Sequence, residues 1–159
     1  MLEFLNALLD KIGEKRATEI VSMKSEYTLI GQSARQKYCR LDVVILDNFG
    51  RIFDIEAQND KDAMNERLLF YGARAISDAT DLGTEYDEIP IVRAFGLVDF
   101  RIRKRDRNLI VSSSLRYDDT LNVSANQLRI TCVQLLVFRK KYKTLESVKG
   151  DPCSNGYTF

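Results

Sequence analysis

The chain of 159 residues has no histidine and no tryptophan, and only two prolines. The missing histidine removes whole classes of chemistry. A Ser-His-Asp or Cys-His nucleophile, a histidine general base and a His-containing zinc site are all excluded. Hydrolysis, if the chain performs it, falls to carboxylates, lysine, tyrosine or a metal-bound water. The cysteines are few and odd in number (Cys39, Cys132, Cys153), with no CxxC spacing. They read as reduced thiols of an intracellular protein. No run approaches the roughly 18 apolar residues of a membrane span. The opening MLEFLNALLD carries acids where a signal peptide has bases. These absences point to a cytoplasmic protein without a membrane partner. Glycine-rich phosphate loops and internal repeats are also missing.

What is present is a chain 45% hydrophobic and 30% charged, with net charge +1. The length suits one domain with its own core. The near-neutral total hides a division. Residues 1–99 carry 12 Lys/Arg and 18 Asp/Glu, whereas residues 100–150 carry 12 and 4. A basic third beside an acidic remainder suits a protein that grips a polyanion on one surface and a divalent cation on another.

The central stretch is Lys37 to Gln58, KYCRLDVVILDNFGRIFDIEAQ. Two apolar arms flank Asp47-Asn48-Phe49-Gly50, which has Asp first and Gly last, as a type I turn prefers. Such a turn continuing into a left-handed glycine gives a three-residue loop, Asn48 to Gly50. Asp47 then stands opposite Arg51, and Asp42 opposite Glu56. Asp54 and Gln58 share their side of the sheet, because side chains alternate with period two. Two facing carboxylates repel unless a cation lies between them or one has a raised pKa. A two-residue loop would instead send Asp42 and Glu56 to opposite faces.

Around this hairpin the pattern predicts a helix over 1–12, with Glu3 a further acidic ligand if that helix lies beside the hairpin. Weakly patterned residues follow over 14–36, with short extended pieces near Glu19–Met23 and Tyr27–Ile30 and a turn at Gly31–Ser33. A second helix is expected over 60–80, with Asp60 as N-cap and Asp62 in its first turn. Arg67, Tyr71, Arg74 and Asp78 share one flank of it. Arg67 and Arg74 are candidates for phosphate contacts, or for pairing with Asp78 or the hairpin acids. Residues 91–100 read as a buried central strand. Arg101, Arg103, Arg105 and Arg107 would line one face if that strand continued; with Lys104 they form a candidate nucleic-acid patch, or a solvated loop. Strands are expected over 109–116 and 127–138, then a second basic cluster over 139–143. The architecture is a single α/β domain over 1–146, with a disordered tail over 147–159.

Asp-x(13)-Glu-x-Gln on a hairpin followed by a helix has a physical logic. Asp42 and Glu56 offer hard oxygen ligands to a Mg²⁺-type ion. Gln58 can orient a water or a phosphate but cannot neutralise charge. The set Asp42, Glu56, Gln58 resembles the D…(D/E)-x-K motif of the PD-(D/E)XK nucleases. More closely, RLDV, GRIFDIEAQ, the Arg67–Tyr71 helix and Gly83-Thr84-Glu85-Tyr86 together resemble the PD-(D/E)XK family transposase group, related to recombination-promoting nucleases, over residues 2–138.

The resemblance implies a restriction-endonuclease-like core: a mixed central sheet, the hairpin carrying the acidic motif, and flanking helices. It implies metal-dependent cleavage of DNA, with Asp42 and Glu56 holding Mg²⁺ or Mn²⁺ and Gln58 at the motif's lysine position. Arg40 stands near where relatives carry proline. Members of the group usually extend beyond both ends of this chain, so a shortened relative is expected. Two alternatives stay open: a nucleic-acid-binding remnant that cuts weakly or not at all, and an interaction protein whose acids are neutralised by Arg40, Lys37 or a helix arginine. A homodimer is left open as well.

Overall fold

A computed structural model describes residues 1–29, 39–61 and 63–142. The expectations for Gly31–Ser33, Lys37, Asp62, Lys143 and the tail lie outside the described residues. Three helices, α1 (Leu2–Lys11), α2 (Met64–Asp78) and α3 (Leu135–Lys141), accompany six strands. These are β1 (Ile20–Leu29), β2 (Cys39–Asp47), β3 (Ile52–Gln58), β4 (Val92–Val98), β5 (Ile110–Arg116) and β6 (Val123–Gln134). The strands form one mixed sheet in the order β1-β2-β3-β4-β6-β5. β3, β4 and β6 run parallel at its centre; the β1–β2, β2–β3 and β5–β6 pairs are antiparallel. This is the α/β, restriction-endonuclease-like architecture expected from the sequence.

The sheet is covered on both faces, and the period of two decides which residue goes where. On one face α1 buries Leu5, Leu8 and Leu9 against Ile45, Phe53, Ile55, Phe95 and Val133. Phe53 and Phe95 stack there with ring centroids 6.4 Å apart. Burial of such a side chain contributes about 1.5–3 kcal/mol. Asn6, also buried, ties α1 to the segment before β1. Its amide donates to the Ala17 carbonyl and accepts the Ala17 N–H, at 2.9 and 2.8 Å. On the other face α2 packs Met64 and Leu68 on Ala94, Val98 and Cys132, and Tyr71 on Leu29, Cys39 and Leu41.

The hairpin turn has the expected three-residue loop. The Gly50 N–H donates to the Asp47 carbonyl at 3.1 Å, and Gly50 takes the left-handed φ of +72°. Buried Asp47 completes the turn: one carboxylate oxygen accepts the N–H groups of Phe49 and Arg51, both at 2.9 Å, and the other accepts the Arg51 Nε–H at 2.8 Å. The pairs Val43–Ile55, Val44–Asp54, Ile45–Phe53 and Leu46–Ile52 follow from that loop.

Four boundaries differ from the sequence reading. β1 is one continuous strand where two short pieces were expected. Lying at the sheet edge with most side chains exposed, it carries little apolar alternation. α2 begins at Met64 after Ala63 in a left-handed conformation (φ 42°), so Asp60 is not its N-cap. β4 ends at Val98, so Arg101, Arg103 and Arg105 lie on a loop and do not line a strand face. The apolar run expected as a strand over 127–138 is strand to Gln134 and helix from Leu135.

Candidate metal and nucleic-acid site

The hairpin ladder stops one residue short of the acid pair. Its last backbone pair is Val43–Ile55. Beyond it, side chains replace backbone as hydrogen-bond partners. The Asp42 N–H donates to Glu56 Oε1 at 2.8 Å, and the Ala57 N–H donates to Asp42 Oδ2 at 3.0 Å. Each carboxylate thus caps the opposite strand where the two strands part. Asp42 Oδ1 has no hydrogen-bond partner among the described residues, whereas the Glu56 carboxylate also takes a side-chain hydrogen bond from Asp54. Asp42 is exposed, Glu56 is 3% exposed and Gln58 is half-buried.

The electrostatics are those of acids short of positive charge. Burial raises the Glu56 pKa, as does the Asp42 charge; the Asp42 N–H, a side-chain hydrogen bond with Asp54 and, last, Arg67 oppose the shift. Asp54, on the same side of β3 and fully buried, is raised to about 9, first by burial and then by the Glu56 charge. Neither Asp54 oxygen accepts a hydrogen bond from a protein N–H or O–H; holding its proton, the Asp54 carboxyl donates to the Glu56 carboxylate instead. The nearest expected neutraliser does not serve these groups: Arg40 pairs with Glu26 at 2.5 Å. Among the described residues neither Asp42 nor Glu56 forms an ion pair.

Arg67 stands closest to neutralising them. Its guanidinium lies 5.6 Å from the centre of the Tyr71 ring. Its pKa is raised first by Tyr71, with smaller contributions from Glu56 and Asp42. Arg74 lies two turns further along α2, half-buried. Glu3 does not join this site. α1 covers the opposite face of the sheet, and Glu3 pairs with Arg16 at 3.2 Å.

The basic residues after β4 occupy a loop at the same end of the parallel strands as Glu56 and Gln58. The Asp99 N–H bonds to the Gln58 carbonyl at 3.2 Å, and buried Gln134 holds the loop from beneath. Gln134 accepts the Ile102 N–H at 2.8 Å and donates to the Asn108 carbonyl at 2.6 Å. Arg103 pairs with buried Asp106 at 2.8 Å, which commits it to the loop's own structure. Lys104 and Arg105 are exposed, and Arg101 is half-buried. Arg139 on α3, which leaves β6 at the same end, pairs with Asp99.

A family model of the PD-(D/E)XK nuclease family transposases matches residues 1–151. The chain belongs to that family. No curated protein and no solved structure matches it. Family members are nucleases of a class that uses divalent metal ions on DNA. The donor set here fits such an ion: two carboxylates of neighbouring strands, hard oxygen ligands without a cation partner among the described residues. Among the described residues no group of three or more acidic, cysteine or histidine side chains converges to hold a metal. A two-carboxylate set suits a divalent ion that keeps several of its waters. No helix of the described residues is long and apolar enough to cross a membrane.

The sequence reading placed Asp54 on the correct side but gave it no role. It missed Gln134 altogether. A glutamine closing an apolar strand was the available signal.

Proposed function

We propose that this chain is a metal-dependent DNA endonuclease that hydrolyses phosphodiester bonds in a transposition or recombination setting. Asp42 and Glu56 are its metal-holding carboxylates. The observation that carries this reading is the reciprocal capping of the parted strands, which aligns both carboxylates side by side and leaves Asp42 Oδ1 uncommitted. When bound there, Mg²⁺ or Mn²⁺ polarises the scissile phosphate and lowers the pKa of an adjacent water.

The chain's own groups do the rest. Gln58, two residues beyond Glu56 on the same side, orients the attacking water or a phosphate oxygen. Arg67 brings positive charge toward the phosphate. Lys104 and Arg105, with Arg101, hold the DNA backbone at the carboxyl end of the parallel strands, on a loop that Arg103 shapes through its pair with Asp106. Arg74 extends this contact along α2.

The test is plasmid nicking with and without Mg²⁺. Asp42→Ala and Glu56→Ala each lower the rate by about a hundredfold or more, since a metal ion contributes several kcal/mol at the transition state. The Asp42→Ala thermal melt stays level or rises, because a repelling carboxylate has gone. Nicking retained by both variants in clean preparations sinks the assignment. Metal-dependent nicking absent from the wild type, with salt-sensitive DNA binding intact, means a binding remnant of the fold.

A further inference from the structure

The α1 face of the sheet carries a second charged cluster, at the opposite end of β3 from Glu56 and Gln58. Arg51 precedes β3, and Arg93 on β4 stands beside Arg129 on β6 in parallel register. All three converge on Glu14, in the segment between α1 and β1. Its carboxylate lies 2.5 Å from Arg93 Nε, 3.2 Å from Arg129 Nη1 and 3.6 Å from Arg51 Nη1. These groups, with Lys15 and Asn126, line a cavity of about 400 Å³.

The charges there do not balance. Arg51 is matched by Asp47 at 2.7 Å. Glu14 alone then faces Arg93 and Arg129, and Lys15 adds another positive charge at the rim. Arg93 is 2% exposed and its side chain is well anchored, donating also to the carbonyls of Val92 and Asn126 and to the Asn126 side chain. Arg129 is committed only through Nη1, to the Ile12 carbonyl and Glu14; its Nε and Nη2 have no partner among the described residues. Guanidinium forks match oxyanions in geometry as well as charge. The cavity's size lies within the roughly 300–1,000 Å³ of small-molecule sites.

We propose that this cavity is a binding site for a small phosphate-bearing molecule, with the Glu14 carboxylate as its built-in occupant. The site is independent of the nuclease reading, being on the other face and at the other end of the sheet. Its deepest arginines are recessed, which favours a free phosphate compound over the backbone of a duplex.

The experiment uses pyrophosphate as the probe in metal-free buffer with EDTA, against KCl at equal ionic strength. It is read by isothermal titration and thermal melts. The wild type binds it saturably at one site per chain and melts higher. Arg129→Gln weakens binding by about tenfold or more, the scale of one charge-assisted hydrogen bond. Glu14→Gln melts lower in KCl, binds pyrophosphate more tightly than the wild type, and regains its stability on binding. Asp42→Ala binds as the wild type does, so failure here and failure of the nuclease reading are separable. Pyrophosphate acting no differently from KCl, or binding Arg129→Gln as well as the wild type, overturns the proposal. A short DNA duplex whose binding depends on Arg129 while pyrophosphate does not bind also overturns it, by moving the phosphate source to DNA. If Glu14→Gln does not fold, the comparison of wild type with Arg129→Gln decides alone.

Discussion

Asp54 concentrates the electrostatic strain of the site in one side chain. It is fully buried, neither of its oxygens accepts a hydrogen bond from a protein N–H or O–H, and its pKa is raised from 3.8 to about 9 by burial first and then by the Glu56 carboxylate beside it. In the folded protein without metal it therefore holds its proton across the neutral range, whereas in the unfolded chain it ionises near pH 4. Between those values the folded state binds the extra proton, so stability is highest below about pH 4 and falls as pH rises toward 9. An asparagine has no such linkage. Asp54→Asn should gain stability relative to the wild type as pH rises from 5 to 8, with a slope approaching about 1.4 kcal/mol per pH unit. Urea melts in EDTA at several pH values measure it. Parallel pH profiles for the two proteins would show that Asp54 ionises freely in the folded state.

At the scale of elements, the contact that sets the site is α2 on β4. Gly96 lies beside Glu56 in the parallel ladder. A Cβ there would approach Met64 Cε to 2.7 Å and Leu68 Cδ1 to 3.0 Å, both on α2. Glycine at this position lets the helix settle close enough for Arg67 to feel the acids. Gly96→Val should cost about 1–3 kcal/mol by overpacking, read as a lower urea midpoint with unchanged m; Gly96→Ala should cost less, because the Met64 terminus can move. An unchanged midpoint for the valine variant would mean that the helix is not held at this distance. The hairpin was legible in the sequence because its determinants are local: Asp47 and Gly50 fix the loop, and the loop fixes which residues face each other. The start of α2 was not, since Ala63 in a left-handed conformation leaves no signature while Asp60 imitates a cap. Nor was the change from β6 to α3, where an unbroken apolar run serves a buried strand and a helix equally well. The Glu14 cluster was hidden for another reason. Glu14 lies 79 residues from Arg93 and 115 from Arg129, and only the lone arginine inside the apolar run IVRAFGLV hinted at a buried partner.

For the molecule as a whole, the parallel strands β3, β4 and β6 bring together in space charges that the chain keeps apart in sequence. Each points its carboxyl end the same way. That end bears Glu56 and Gln58, the loop with Arg101 to Arg105, and the basic end of α3. A sequence showed that residues 1–99 are acidic and 100–150 basic; the topology brings the two together. In the function proposed above, acids that hold a cation lie beside bases that hold the anion, an arrangement suited to phosphodiester chemistry without histidine. DNA binding through such a surface releases counterions, and log K falls with log salt by about 0.9 for each phosphate neutralised on a duplex. Lys104 and Arg105 are exposed, whereas Arg103 is engaged with Asp106. The double variant Lys104→Glu, Arg105→Glu should bind DNA more weakly and with a salt slope smaller by about 1–2. Arg103→Gln should mainly loosen the loop, because it leaves Asp106 buried without its cation. Fluorescence anisotropy with a labelled duplex in EDTA, titrated across KCl concentrations, separates the two effects. A slope unchanged by the double charge reversal would place the DNA elsewhere on the surface and leave the acid pair without the phosphate grip assigned to this loop.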